Sequence, residues 1–126
     1  MFKVIIAGSR SFSDYDLLKK HADYMLSRIQ EPIEIVSGGA TGADALGERY
    51  AQEKGLEIEY YPADWDKYGK SAGYIRNKQM ARNADALIAF WDGTSKGTKH
   101  MIDIARKDDL PTRICHVEVK KEDDEQ

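Results

Sequence analysis

The chain has 126 residues, 41% of them hydrophobic, which is enough for one buried core and too few for two ordinary domains. A formal net charge of -3 provides no overall positive field to draw the protein non-specifically onto nucleic acid, so any anion must be held locally. The single cysteine, Cys115, excludes an intrachain disulfide, and no stretch reaches the ~20 apolar residues that cross a bilayer. With no signal-peptide pattern at the start, a cytoplasmic protein without a membrane partner is the expectation.

In chain order, Lys3 to Ala7 is a short apolar run ending at Gly8, the pattern of a strand buried on both faces. Ser13 followed by Asp16 predicts a helix start, and Leu18, Ala22, Met25 and Ile29 carry the helix from about Asp14 to Ile29, with Pro32 beyond it. Ile33 to Val36 predicts a second strand running into Ser37-Gly38-Gly39. Ala43, Leu46, Gly47 and Tyr50 share a helical face, and Gly55 supplies the stop. A third strand is predicted at Glu57 to Tyr61, before Pro62. A loop rich in aromatic and polar residues follows, then a helix over Ala72 to Asn83 with Ile75 and Met80 inward, and a fourth strand at Ala86 to Phe90. A helix beginning near Thr98 should bury Met101, Ile104 and Ala105, and Pro111 precedes a last strand at about Arg113 to Val119. Cys115 falls in that strand as a small core residue.

Strand and helix alternate throughout, which predicts an α/β, Rossmann-like three-layer sandwich: five mainly parallel strands in the order 3-2-1-4-5, helices on both faces. Residues 1–119 form this single domain, and 120–126 are an almost wholly charged tail expected to be disordered.

Three clusters of glycine and small polar residues each begin directly after a strand, and a parallel sheet sets all three at one edge, where open α/β sheets bind ligands. Ser37-Gly38-Gly39-Ala40-Thr41-Gly42-Ala43-Asp44 has the composition of an anion cradle, since glycine permits sharp turns and close approach while the following helix offers unpaired amides. A tight turn without a ligand would use the same residues. Gly93-Thr94-Ser95-Lys96-Gly97-Thr98 repeats the pattern after the fourth strand, and is read equally as a turn or a ligand site. Neither loop fits the Walker A pattern, and the dinucleotide fingerprint is absent. In Gly8-Ser9-Arg10, the guanidinium of Arg10 is suited to fork onto a phosphate.

Asp44 is the awkward member, because a carboxylate at a helix start repels a phosphate there. It either caps the turn or accepts a ribose hydroxyl. Trp65, in the aromatic segment Tyr61 to Gly69, could stack on a base or pack a satellite core over the sheet edge. Arg76 and Asn77 either face the same cleft or form an exposed helical pair. His21, His100 and His116 lack metal spacing, so no metal is assigned, though magnesium could accompany a phosphorylated ligand.

Taken in order, Gly8-Ser9-Arg10, Ser37 to Asp44, Arg76-Asn77 and Trp91 to Thr98 resemble the YspA/YpsA-related branch of the SLOG superfamily over about Val4 to Val117. That superfamily includes the DNA-processing protein A domain and the "lonely guy" phosphoribohydrolases. The resemblance implies a Rossmann-like sheet and a nucleotide or nucleotide-derived ligand. Likeness to the phosphoribohydrolases implies Gly97 and Thr98 in a phosphate loop and Arg76 as a functional arginine, with Met80 completing its helix pattern. Two departures stand out. Their glutamate three residues after the threonine is replaced by Met101, and Asp103 lies about 200° further round the helix. Their Pro-Gly-Gly opening is replaced by Gly93-Thr94-Ser95.

The leading expectation is therefore a protein that senses or processes a small nucleotide derivative, with phosphate near Arg10, Gly38, Gly39, Thr41, Gly42, Gly97 and Thr98. If it reacts, N-glycosidic cleavage with Asp44, Asp64 or Asp92 stabilising an oxocarbenium-like centre or activating water is the best fit. The alternatives are a single-stranded DNA-binding module and a homo-oligomeric scaffold.

Overall fold

The computed structural model describes residues 1–119; the tail predicted at 120–126 lies outside the described residues. Its five strands are β1 (Phe2–Gly8), β2 (Ile33–Ser37), β3 (Glu57–Tyr60), β4 (Ala86–Trp91) and β5 (Thr112–His116). They pair in the order β3-β2-β1-β4-β5, every neighbouring pair parallel, as the sequence predicts. The register sets Val4 opposite Ile35 on one side and Ala86 on the other, and Gly8 opposite Phe90. Strands β1 and β4 lie inside the sheet and are covered on both faces, which is why Val4 to Ala7 and Ala86 to Phe90 read as unbroken apolar runs.

Alternate residues of these strands feed two cores. Val4, Ile6, Ile35, Ile88 and Phe90 meet α1 (Tyr15–Leu26) and α2 (Ala43–Lys54), while Ile5, Ala7, Val36, Leu87 and Ala89 meet α4 (Ala72–Arg82) and α5 (Lys96–Lys107). Gly47 brings α2 down onto the sheet: a Cβ there would stand 2.9 Å from Ile6 Cβ and Cγ2. The chain runs β1 to β2 to β3 in one direction and returns across β1 to β4 and β5, so the order reverses between β1 and β4.

The elements depart from the predicted ones where local chemistry competes. Helix α1 is capped by Asp14, whose Oδ1 accepts from the Leu17 amide at 3.1 Å, and not by Ser13; it ends at Leu26, short of Ile29. The Asp14 carboxylate satisfies an otherwise unpaired amide of the first turn and lies favourably at the positive end of the helix. On α5, which starts at Lys96, the buried set is Thr98, Met101, Ile102 and Ala105, with Ile104 only half-buried because it lies about 200° round the helix from Ile102. On α4, Met80 is buried as predicted and Ile75 is half-buried. Strand β5 stops at His116, although Val117 and Val119 still pack against the first core. Inside the aromatic segment a four-residue helix, α3 (Trp65–Tyr68), is started by Asp64, which accepts from the Lys67 amide at 3.1 Å; a 3₁₀ turn at Gly69–Ser71 then leads into α4. No helix among the described residues is long and apolar enough to cross a membrane.

Candidate functional site

At the carboxyl ends of β1, β2 and β4 the chain leaves a cavity of about 480 Å³, bounded by Ser9 and Arg10 after β1, Asp44 on α2, Arg76 and Asn77 on α4, and Gly97 and Thr98 on α5. A second hollow of about 420 Å³ adjoins it over Gly38, Gly39 and Thr41. Arg10, Ala40, Trp65 and Arg76 belong to both walls. The three small-residue clusters therefore do converge at the switch point of the sheet, where ligands of such folds bind.

The two helix starts at this rim are not equivalent. In the loop before α2, the Gly39 amide donates to Ser37 Oγ at 3.1 Å and the Ala40 amide to Asp44 Oδ2 at 3.2 Å. The Ala43 amide donates to the Ser9 carbonyl at 3.2 Å. The protein's own oxygens thus take several of the donors that sequence reading offered to a phosphate. Gly42, with φ 74°, is required for a backbone reason: a Cβ there would collide with the Ser9 and Arg10 carbonyls, so its close approach is to β1's loop and it lines neither hollow. Ser37 is buried, donating to Glu48 Oε2 at 2.7 Å, and lies beneath the loop rather than on the cavity wall.

The start of α5 is more open. Asp92 Oδ1 accepts from the Thr94 and Ser95 amides at 2.9 and 2.8 Å, closing a tight turn over Gly93, whose φ is 85°. Ser95 caps the helix, its Oγ accepting from the Thr98 amide at 3.4 Å and lying 3.0 Å from Thr98 Oγ1. The Gly97 amide receives no partner among the described residues, and a Cβ on Gly97 would meet nothing within 4 Å. Gly97 lines the main cavity in the first turn of a 12-residue helix, the end at which the helix dipole is positive. Gly93 and Thr94 shape the turn and do not line the cavity.

The charged residues are arranged in depth. Arg10 is exposed on the lip shared by both hollows. Arg76 lies deeper: its Nη1 donates to the Gly38 carbonyl at 2.6 Å and its Nε to Asn77 Oδ1 at 3.2 Å. Burial lowers the Arg76 pKa below the usual guanidinium range, with Asp44 opposing and Arg10 adding to the effect. Asp44 is only 7% exposed, and burial pushes its carboxyl up to about 6, against the Ala40 amide and the guanidinium of Arg76, which favour the charged form. Its hydrogen bond to Ala40 makes it the internal brace of the α2 loop. Burial also presses on the Asp92 carboxyl, but the hydrogen bonds from Thr94, Ser95 and Ser9 together outweigh it and hold Asp92 below the ordinary carboxylate range. Asp64 lines neither hollow and caps α3.

Asn77 is 6% exposed, so it is no exposed helical pair with Arg76. Trp65 is 52% exposed and fronts both hollows. Met101, 1% exposed, floors the main cavity where the phosphoribohydrolase pattern has a carboxylate. Lys70 and Tyr74 also line it, and the sequence reading missed both. Tyr74 lies one turn before Lys78 on α4 and close to Lys70, so extending the aromatic argument past Gly69 would have reached them.

The YspA, cpYpsA-related SLOG family model matches residues 2–68. The Gene 61 protein of Mycobacterium phage D29 is 37% identical over 117 residues, covering 88% of this chain and 94% of that protein. Among solved structures the fold is similar to that of DNA processing protein A from Streptococcus pneumoniae, with a TM-score of 0.70 at 18% identity, over 90% of this chain and 50% of that one. The corresponding protein of Helicobacter pylori gives 0.63 at 24% identity over 90% and 64%, and the protein TM1055 gives 0.64 at 19% over 89% and 72%. The family model matches more than half of the chain, and the chain therefore belongs to the YspA, cpYpsA-related SLOG family.

Proposed function

We propose that the chain binds a nucleotide or nucleotide-derived phosphate ligand at the carboxyl edge of the sheet. The observation that carries this reading is the shared cavity in which the open start of α5, the exposed Arg10 and the half-exposed Trp65 face one volume of about 480 Å³. A phosphate at Gly97 and Thr98 would take the free amide and the helix dipole, with Arg10 supplying a mobile countercharge. The base would stack on Trp65, and the buried carboxyl of Asp44 would accept a sugar hydroxyl beside the Gly38-Gly39 hollow. If turnover occurs, it is N-glycosidic hydrolysis, with Asp44 the better placed carboxylate. Its pKa near 6 leaves it able to exchange a proton near neutrality, whereas one oxygen of Asp92 is already held by two amides. Met101 in place of a carboxylate makes binding the firmer part of the proposal.

A thermal-shift screen of nucleoside monophosphates and ADP-ribose tests it. A rise in melting temperature with one of them, abolished in Arg10→Ala, is the expected result; no rise with any of them counts against the site.

The fold likeness to two DNA processing protein A structures, one of which concerns single-stranded DNA binding, supports a second reading, a single-stranded DNA module. Exposed Lys67, Lys70 and Lys78 flanking Trp65 and Tyr74 would then track a backbone, and binding would weaken steeply with salt. Failure to retain an oligonucleotide at low salt excludes it.

A further inference from the structure

Asn77 is buried on α4 and holds three partners: Oδ1 accepts from Arg76 Nε at 3.2 Å, while Nδ2 donates to the Gly97 carbonyl at 3.3 Å and stands 3.2 Å from His100 Nδ1. This pattern has one self-consistent assignment. Arg76 Nε can only donate and the Gly97 carbonyl can only accept, so turning the amide over would set donor against donor and acceptor against acceptor. The orientation of Asn77 then dictates that His100 Nδ1 is an acceptor, hence unprotonated, with the ring proton on Nε2.

We propose that Asn77 and His100 form a positioning relay: neutral His100 holds the Asn77 amide, and Asn77 in turn holds the Arg76 guanidinium and the first turn of α5 in the arrangement that binds ligand. Protonating His100 places an N–H against the Asn77 NH₂ and breaks the relay at its outer end. The groups around the imidazole pull in both directions. Lys78 on α4 opposes the charged ring; Asp103 on α5, already paired with Lys99 at 2.8 Å, favours it; and the Tyr74 ring packs on the imidazole at 4.3 Å between centroids, a face that also favours a cation. Burial of the ring, the largest influence, disfavours charge. Arg76 also senses Asp44, whose carboxyl titrates at about 6, so the relay is read as the difference between the wild type and a protein that keeps Asp44 but lacks the imidazole.

The consequence for binding rests on the nucleotide-site reading above, but the relay has a readout without any ligand. With ¹⁵N-histidine and ¹⁵N-arginine labelling, His100 is expected as the Nε2–H tautomer at pH 7.5. Its titration should move the Arg76 Nε–H and the Gly97 amide resonances together. In His100→Gln, whose side-chain oxygen replaces the acceptor, the imidazole-linked step should vanish from both resonances between pH 7.5 and 5.5, leaving at Arg76 only the contribution of Asp44 that the wild type shares. A His100 found as the Nδ1–H tautomer, or titrating while Arg76 and Gly97 stay unmoved, overturns the relay.

The ligand arm uses ADP-ribose, whose diphosphate does not titrate in this range. Its affinity should fall about tenfold more between pH 7.5 and 5.5 in the wild type than in His100→Gln, the size of one lost hydrogen bond to a charged group. Equal pH dependence in the two proteins contradicts the relay's role in binding. Absence of ADP-ribose binding at every pH, with the spectroscopic coupling intact, leaves the relay standing and counts against the nucleotide site instead.

Discussion

Asp44 and Arg76 flank the Gly38 α-carbon: a Cβ on Gly38 would stand 2.9 Å from both Asp44 Oδ2 and Arg76 Cζ, and the Gly38 carbonyl accepts from Arg76 Nη1 at 2.6 Å. The carboxylate braces the α2 loop from below while the guanidinium ties it to α4. This is how the α2 loop and helix α4, joined by residues 38 apart in sequence, close on one cavity.

The first prediction concerns that junction. Gly38→Ala must push Arg76 or Asp44 aside, losing a charge-assisted hydrogen bond at a buried site, and should destabilise the fold by about 1–3 kcal/mol. Urea denaturation at neutral pH reads the loss. A variant as stable as the wild type would show that Arg76 relaxes without cost.

Asp44 carries the second prediction. Its carboxyl titrates near 6 in the fold against an ordinary 3.8, so between those values the native protein holds the extra proton. Stability therefore decreases as pH rises through this window and stays lower above it. Asp44→Asn keeps an acceptor for Ala40 without the buried charge. It should match the wild type near pH 4 and exceed it at pH 8 by about 1–3 kcal/mol. Urea midpoints across pH 4 to 8 measure this. A carboxylate retained at such a cost is the kind of residue a function explains.

How much of this was legible in the sequence follows from what each feature depends on. The sheet order could be read because β1 and β4 are buried on both faces and carry continuous apolar runs, and because strand and helix patterns alternate along the chain, with β1 and β2 ending at Gly8 and Ser37. The convergence of Arg10, Asp44 and Thr98 follows from that order, whereas Arg76 is drawn to the site only by the family resemblance, its helical position alone fitting an exposed pair with Asn77 equally. The division of labour between the loops was not legible. That Gly42 serves the Ser9 and Arg10 carbonyls, or that Asp44 takes the Ala40 amide, depends on distances between segments that composition does not encode. Asn77 was placed near the cleft, but its partner His100 is 23 positions away and entered the sequence reading only as a histidine without metal spacing. The short helix α3 did have a signal, Asp64 three residues before Lys67, outweighed by the aromatic and proline content around it.

The third prediction separates fold from binding at α5. Gly97→Ala meets nothing within 4 Å and replaces glycine by the best helix former, so stability should be unchanged or raised by about 1 kcal/mol. The added methyl group would project beside the free amide, and nucleotide affinity should drop at least tenfold, measured by calorimetry. Unchanged affinity would move the phosphate elsewhere on the rim.

A fourth prediction lies away from the site. His21 on α1 accepts from Arg113 Nε at 3.0 Å through Nδ1, with Cys115 Sγ 3.3 Å from Nε2, and so links α1 to β5. Burial lowers its pKa, with Arg113 and Lys20 adding to the effect. The unfolded chain therefore takes up the proton first, and stability should fall as pH drops below about 6.5, the ordinary histidine value, toward the lower folded one. His21→Gln should remove that component of acid sensitivity, seen as a flatter melting temperature between pH 7 and 5.

The central claim is most directly tested by following backbone amide resonances while AMP or ADP-ribose is added to the ¹⁵N-labelled protein. The account predicts saturable shifts at Ser9, Arg10, Gly38, Gly97 and Thr98, with the Trp65 indole moving in step. Shifts confined to the α1 and β5 side of the molecule, or none at millimolar ligand, would contradict it.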